Sequence, residues 1–241
     1  MGRHERRSVG IACCRMNGAR LEMLLVCKRY TYAYSLFING RYNSRNNDEI
    51  IDLLNRMTID EKLDILSLNF GQMWYRIWLS TTRGSNFFVA KGKFETAFLT
   101  DEGRRIRRLI ARSHNSDRIW EIPKGRKKSK NETEVSCAIR EFQEETGVRK
   151  EQYMLYVDAW RVASHTSSGV NYICKYYFAW TSHYFPTHAS SGIKFEDTCP
   201  EEIVDIKWMS IDEMRLVDNT GRLVNTATPI FNWVKKHVLR R

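Results

Sequence analysis

The order of apolar and polar positions predicts strands at both ends of the chain and helices in its middle. Two strands, Ser8–Met16 and Leu21–Arg29, are expected on either side of a turn at Asn17–Gly18. From about residue 34 to residue 114, apolar residues recur at helical spacing and follow side chains that cap helices. The caps expected there are Asn47, Thr100, and Thr58, which forms a capping box with Glu61.

Strand patterns return after residue 118. The segment WEIP at 120–123 predicts a strand end, and a helix is expected over Asn131–Thr146, where Gly147 ends it. Further elements are strands near Tyr153–Val162, Val170–Trp180 and Ile203–Met209, a short helix boxed by Ser210 and Glu213, and a terminal helix opened by Thr228–Pro229. The pattern therefore predicts an α/β domain in two parts, 1–34 and 115–241, interrupted by an α-helical insertion domain at 35–114.

Composition limits the class of protein. Apolar residues make up 42% of the 241 residues, which is enough for a core, and no uncharged apolar run reaches 18 residues, so no membrane insertion is expected. Six cysteines without a C-x-x-C pair favour free thiols in a reducing, cytoplasmic compartment. The formal charge of +11 favours polyanionic partners such as nucleic acid or phosphate-rich small molecules, and nothing in the sequence indicates an oligomeric state.

One helical segment carries a cluster of acids. Glu141, Glu144 and Glu145 are three and four residues apart, so they are expected to project from one face of the helix. Clustered carboxylates repel unless a cation offsets them, and oxygen ligands select Mg²⁺ or Mn²⁺. Arg140, one turn before Glu144, could hold a carboxylate in place. The alternative is a solvated acidic face on an amphipathic helix.

The segment 125–148 resembles the Nudix box, G-x5-E-x7-R-E-U-x-E-E-x-G-U, in which U is a bulky apolar residue. One departure is that six residues, not five, separate Gly125 from Glu132. The positions that match are Gly125, Glu132, Arg140, Glu141, Phe142 (as U), Glu144, Glu145, Gly147 and Val148.

Beyond the box, nearly the whole chain resembles the mRNA-decapping Nudix hydrolases of large DNA viruses. This resemblance rests on Cys14-Arg15-Met16, on Lys28-Arg29-Tyr30, on the aromatic segment 73–78, and on WEIPKGR at 120–126. It implies a Nudix fold, a mixed sheet sandwiched between helices. It also implies metal-dependent cleavage of the pyrophosphate bridge of capped mRNA, giving 7-methyl-GDP and 5′-monophosphate RNA.

The resemblance also implies roles for individual residues. Glu141, Glu144 and Glu145 would hold Mg²⁺ or Mn²⁺ together with the Gly125 carbonyl, while Glu132 and Arg140 would buttress the helix. Many relatives add a carboxylate from outside the box, for which Glu202 is the first candidate and Glu201 the second. Lys207 stands directly before Trp208, so a base at that position is excluded.

Basic residues concentrate in two places. Between residues 76 and 118 there are ten Lys or Arg against four acids, and Arg104, Arg105, Arg108 and Arg112 could form a track for an RNA backbone. Lys124, Arg126 and Lys127, with Lys128 and Lys130, could hold phosphates beside the metals. Both groups could equally be solvated faces. The aromatic residues of the insertion (Trp74, Tyr75, Trp78, Phe87 and Phe88) could stack on bases, but core positions are the better expectation.

Two other functions remain open at this point. A hydrolase of diphosphoinositol polyphosphates or dinucleotide polyphosphates would use the same metals and basic loop, although a small substrate needs no extended basic track. An RNA-binding protein with an inactive Nudix domain would not need the complete glutamate set. A capped-mRNA hydrolase in the cytoplasm, the host cytoplasm for a viral protein, accounts for both features.

Overall fold

A computed structural model describes residues 5–79, 84–167, 170–182 and 202–240. The chain divides into two compact units, one formed by Met1–Lys28 with Trp120–Arg241 and the other by Arg29–Ile119. The second unit is wider than the range 35–114 expected for the insertion, because residues on both flanks bond to its helices. The Thr31 hydroxyl donates to the Glu61 carboxylate at 2.8 Å, and the Ser116 N–H donates to the Met57 carbonyl at 2.9 Å.

The first unit is built on one mixed sheet. Its order is β3-β2-β1-β6-β5, with β4 paired to β1 and β7 paired to β2. The β1–β6 pair is parallel and the other pairs are antiparallel, which confirms the mixed sheet expected from the sequence. The strands are β1 (Glu5–Asn17), β2 (Arg20–Lys28), β3 (Trp120–Glu121), β4 (Lys124–Gly125), β5 (Met154–Ser167), β6 (Val170–Trp180) and β7 (Ile203–Met209).

Helices cover both faces of this sheet because alternate residues of β1 point to opposite sides. Val9 and Ile11 lie in a core shared with α7 (Glu134–Thr146). Ala12 and Cys14 lie in a second core shared with α8 (Ile211–Val217) and α9 (Arg222–His237). A 3₁₀ turn over Lys150–Gln152 precedes β5. The sheet therefore separates two apolar cores, and α7 lies on the side opposite the two C-terminal helices.

The terminal helix begins earlier than expected. The prediction that Thr228–Pro229 opens it was wrong, because α9 starts at Arg222 and carries Pro229 in its interior. The Asp218 carboxylate accepts the Val224 N–H at 2.9 Å and so satisfies a donor at the actual N-terminus. Apolar residues that are buried on one face run through the proline, and this packing sets the length of the helix. They are Leu223, Ala227, Ile230 and Val234.

All regular elements in the described residues of the second unit, 29–79 and 84–119, are helices. Its elements are α1 (Tyr32–Ile38), α2 (Asn47–Leu54), α3 (Ile59–Ser67), α4 (Phe70–Trp78), α5 (Ser85–Phe98) and α6 (Arg104–Ala111). Phe37, Phe94 and Phe98 pack together with ring centroids 5.5–6.0 Å apart at the centre of its core.

Helix caps in this unit agree only partly with the sequence. The Thr58–Glu61 capping box is present, which confirms that prediction. Asn46, rather than Asn47, caps α2. Thr100 does not cap α6, because Glu102 and Gly103 adopt φ angles of 58° and 75° and delay the helix to Arg104. No helix among the described residues combines the length and the apolar character needed to cross a bilayer.

Candidate active site

Helix α7 presents the acidic cluster, and its ends are defined by two residues. The Thr133 side chain accepts the Ser136 N–H at 3.0 Å, so the helix begins at Glu134 and not at Asn131 as expected. Gly147 ends it with a φ of 71°, a conformation that favours glycine. Ala138 and Phe142 are fully buried against the sheet. This packing fixes the rotation of the helix and thereby the directions of its glutamates.

Arg140 connects three of the box carboxylates. Its guanidinium donates to Glu132 at 2.8 Å, to Glu141 at 2.8 Å and to Glu144 at 3.0 Å. The Lys128 N–H also donates to Glu132 at 2.7 Å, so the loop with the extra residue folds back onto this carboxylate. The hydrogen bond from Arg140 lowers the pKa of Glu132 to about 2. Arg140, which is itself held by Glu132, thus orients the Glu141 and Glu144 carboxylates.

Gly125 lies against the carboxylate of Glu141. Its strand β4 pairs with Val9 and Gly10 of β1, which brings the backbone of residue 125 close to α7. A Cβ atom at this position would collide with the Glu141 carboxylate. The site therefore requires glycine at 125 for close approach rather than for an unusual backbone angle.

Glu145 is more deeply buried than Glu144 and has different partners. Only 5% of its side chain is exposed, its Oε2 accepts the Lys124 N–H at 2.9 Å, and its Oε1 is paired with the Lys28 ammonium. Burial raises the pKa of this carboxyl to about 6. The Glu145 carboxylate is therefore held by other groups than the Arg140 that holds Glu141 and Glu144. Residues 141 and 145 are four positions apart and so lie on the same face of the helix, and a metal ion shared by the three carboxylates stays a prediction.

Lys28 stands between three carboxylates. Besides Glu145, its Nζ lies 3.5 Å from Glu121 and 3.7 Å from Glu202, whose side chain is 69% exposed. Sequence reasoning assigned no role to Lys28 or Glu121, although both belong to the segments that carry the family resemblance. Lys28 and Glu121 could have been found as a charged pair because they stand at the ends of β2 and β3. Glu201, the second candidate for an extra carboxylate, lies outside the described residues.

The basic residues expected beside the metals divide into paired and exposed side chains. The Lys124 ammonium is paired with Glu121, and phosphate binding by Lys124 stays a prediction. The Lys128 ammonium contacts Glu144 at 2.7 Å. Arg126 and Lys127 are exposed. An open depression of about 450 Å³ lies on the surface of α7. It is lined by Ser136, Ile139, Arg140, Gln143 and Glu144.

The proposed RNA track on α6 also divides. Arg105 was expected on the exposed face, but its guanidinium donates to the carbonyls of Ser44 at 2.6 Å and Ala97 at 3.0 Å and lies 5.4 Å from the centre of the Phe98 ring. Arg105 therefore covers the edge of the core beside Phe98. Arg104, Arg108 and Arg112 are exposed.

The aromatic residues of the helical unit divide in the same way. Phe87 is buried and Trp74 packs against the core, as expected for core residues. Tyr75, Trp78 and Phe88 are about half exposed, which differs from that expectation.

The residues of the site fit a divalent cation in chemistry and charge. The donors beside α7 are carboxylate oxygens, which hard cations prefer. Among the described residues, six carboxylates of the site meet four side-chain cations, which leaves two negative charges in this set. In the described part of the chain no three His, Cys, Asp or Glu side chains are arranged to hold a metal ion. Glu141 and Glu144 pair with Arg140 and Lys128 instead, so a metal bound by these two carboxylates would have to displace those partners.

This chain is similar to one protein family and to several individual proteins. A profile of the NUDIX domain matches residues 96–234. The mRNA-decapping protein g5R of African swine fever virus (isolate Pig/Kenya/KEN-50/1950) is 33% identical over 239 residues, which cover 96% of both chains. A putative mRNA-decapping protein of Acanthamoeba polyphaga mimivirus is 23% identical over 80% of this chain and 59% of that protein. Among solved structures, a C. elegans Ap4A hydrolase binary complex has a TM-score of 0.46 at 15% identity, covering 94% of this chain and 98% of that chain.

Proposed function

This chain belongs to the Nudix family of hydrolases, and from that premise we propose that it removes the 5′ cap of messenger RNA. The reaction is hydrolysis of the cap pyrophosphate bridge, which gives 7-methyl-GDP and 5′-monophosphate RNA. The observation that carries the proposal is the carboxylate pair Glu141 and Glu144, held by Arg140 beside the close approach of Gly125. Similarity to a viral mRNA-decapping protein over 96% of both chains supports capped mRNA as the substrate.

The box residues divide the work of the site. When bound, a divalent cation, Mg²⁺ or Mn²⁺, would supply the positive charge that polarises the phosphate oxygens and activates water. Glu141, Glu144, Glu145 and the Gly125 carbonyl are the proposed ligands. Arg140, which is paired with Glu132, orients the Glu141 and Glu144 carboxylates. Hydrogen bonds of this kind to metal ligands fix the positions of the ligands.

Two further groups serve the substrate in this proposal. The exposed Glu202 carboxylate, beside Lys28, accepts the proton of the attacking water. Arg126 and Lys127, exposed on the loop before α7, hold phosphate oxygens of the cap by charge. These groups act on the reacting diphosphate, while recognition of a long RNA needs a separate surface.

The helical unit is the proposed binding surface for the part of the RNA that follows the cap. Arg104, Arg108 and Arg112 remain exposed on or at the end of α6, and an arginine row of this kind contacts phosphates without reading sequence. The half-exposed Tyr75, Trp78 and Phe88 add faces on which bases can stack. Because the two mRNA-decapping relatives named above are viral, we place the reaction in the host cytoplasm, where capped messages are translated.

Parallel substrates test this function. Purified protein is given cap-labelled long RNA, free cap dinucleotide, a dinucleotide polyphosphate and an inositol pyrophosphate at equal concentration with Mn²⁺. We expect the highest kcat/KM on capped RNA, with 7-methyl-GDP as the labelled product and no product from the matched Glu144→Gln variant. A higher kcat/KM on the inositol pyrophosphate would contradict the proposal and assign the site to small substrates. RNA binding by Glu144→Gln at wild-type affinity would show that the variant remains folded.

A further inference from the structure

Five charged side chains from five separate segments converge at one end of the sheet. Lys28 ends β2, Glu121 ends β3, Lys124 begins β4, Glu145 lies in the last turn of α7, and Glu202 directly precedes β7. The Lys28 ammonium is the member shared by all three carboxylates, at pairing distance to Glu145 and at 3.5 Å and 3.7 Å to the other two. Lys124 pairs with Glu121 through its ammonium and with Glu145 through its backbone N–H.

This arrangement places the Lys28 ammonium, a single positive charge, where three carboxylates meet. The side chain of Lys28 is 21% exposed and that of Glu145 is 5% exposed, so water screens their interaction only weakly. An ammonium with three such neighbours neutralises charge that would otherwise attract a metal ion. The charges divide into two groups, with Lys28 and Lys124 facing Glu121, Glu145 and Glu202, while Arg140 and Lys128 face Glu132, Glu141 and Glu144.

We propose that Lys28 is a positioning residue whose ammonium takes the place of a divalent cation between Glu121, Glu145 and Glu202, and so confines metal binding to the side of Glu141 and Glu144. The inference rests on the proposed function and deepens it, because it names the group of carboxylates from which this hydrolase excludes a further divalent ion. Lys28 holds the Glu145 Oε1 and the Lys124 N–H donates to its Oε2, so Glu145 can join Glu141 and Glu144 at an ion only through the remaining lone pairs of these oxygens.

The matched variants separate charge from structure. Lys28→Met removes the ammonium and keeps most of the stem, so three carboxylates lose their shared counter-ion. Lys28→Arg keeps the charge. Lys130→Met removes one charge from an exposed lysine of the loop before α7 and controls for the general loss of a positive charge. In the double variant Lys28→Met/Glu121→Gln, the lost ammonium is balanced by a lost carboxylate.

The readout is Mn²⁺ binding to the RNA-free protein, counted by electron paramagnetic resonance and by calorimetry at neutral pH. We expect Lys28→Met to bind one more Mn²⁺ per chain than the wild type, and Lys28→Arg, Lys130→Met and the double variant to bind the wild-type number. Circular dichroism checks that each variant is folded. If Lys28→Met is unfolded, Lys28→Gln, which can still donate to Glu145, is expected to give the same additional ion.

The opposite result is equally definite. Equal Mn²⁺ number and affinity in the wild type and in a folded Lys28→Met or Lys28→Gln variant would overturn the proposal and leave Lys28 a purely structural ion pair. The test does not depend on the substrate. A wild-type protein that binds Mn²⁺ but releases no 7-methyl-GDP would refute the decapping function, while the difference between the Lys28 variants would still be measured.

Discussion

Two arginines three residues apart on α6 are expected to have different roles. Arg105 donates to the Ser44 and Ala97 carbonyls and to the Asn47 side chain, whereas Arg108 is exposed. Arg105→Met keeps the stem over the core and removes the guanidinium. Each charge-assisted hydrogen bond contributes about 1.5–3 kcal/mol, but water can reach part of this site, so we expect a loss of about 2–3 kcal/mol rather than the full sum. Arg108→Met should change the free energy of unfolding by less than about 0.5 kcal/mol.

Urea unfolding followed by helical circular dichroism measures the first effect, and fluorescence-detected RNA binding at several salt concentrations measures the second. Arg105→Met should lower the urea midpoint of the transition that involves the helical unit, whereas Arg108→Met should reduce the slope of log affinity against log salt by about one. Equal urea midpoints for the two variants would refute the structural role given to Arg105. An unchanged salt slope for Arg108→Met would remove this residue from the proposed RNA surface.

Three further outcomes are expected. Gly125→Ala should displace the Glu141 carboxylate, so kcat should fall by at least about tenfold with little change in RNA affinity, and equal kcat values would contradict the close approach at this position. Burial raises the pKa of Glu145 to about 6 from 4.5, so the folded protein holds this proton more tightly than the unfolded chain, and metal-free stability should fall by about 2 kcal/mol as pH rises between these values. Glu145→Gln should abolish that decline, and a parallel decline in both proteins would show that another group causes it. Removal of divalent ions with EDTA should abolish turnover, and added Mn²⁺ or Mg²⁺ should restore it; turnover that persists in EDTA would exclude a metal-dependent reaction.

Local patterns predicted the elements that carry the site. The strand Ile203–Met209, the Ser210–Glu213 box and the end of α7 at Gly147 occur where the sequence indicated them. These features depend on residues close in sequence, such as a cap and the amide it accepts. The mixed sheet and its covering helices followed from the family resemblance.

Features that depend on distant residues were not predictable in this way. Helical spacing placed Glu145 beside Glu141 and Glu144, but the pairing of Glu145 with Lys28 joins residues 117 positions apart. The same holds for Arg105, whose hydrogen-bond acceptor at Ser44 lies 61 positions away. In α9 the buried apolar face determines the length of the helix in spite of Pro229, so tertiary packing outweighs the local preference of proline.

The central claim is that the carboxylates of α7 bind a divalent ion beside Gly125. Crystals of the protein soaked in Mn²⁺ and measured at the manganese absorption edge would test it most directly. We expect an anomalous peak that marks a manganese ion bound to carboxylate oxygens of Glu141 and Glu144, with Lys128 turned away from Glu144. Crystals in which those oxygens still face Arg140 and Lys128, with manganese bound elsewhere or not at all, would contradict it.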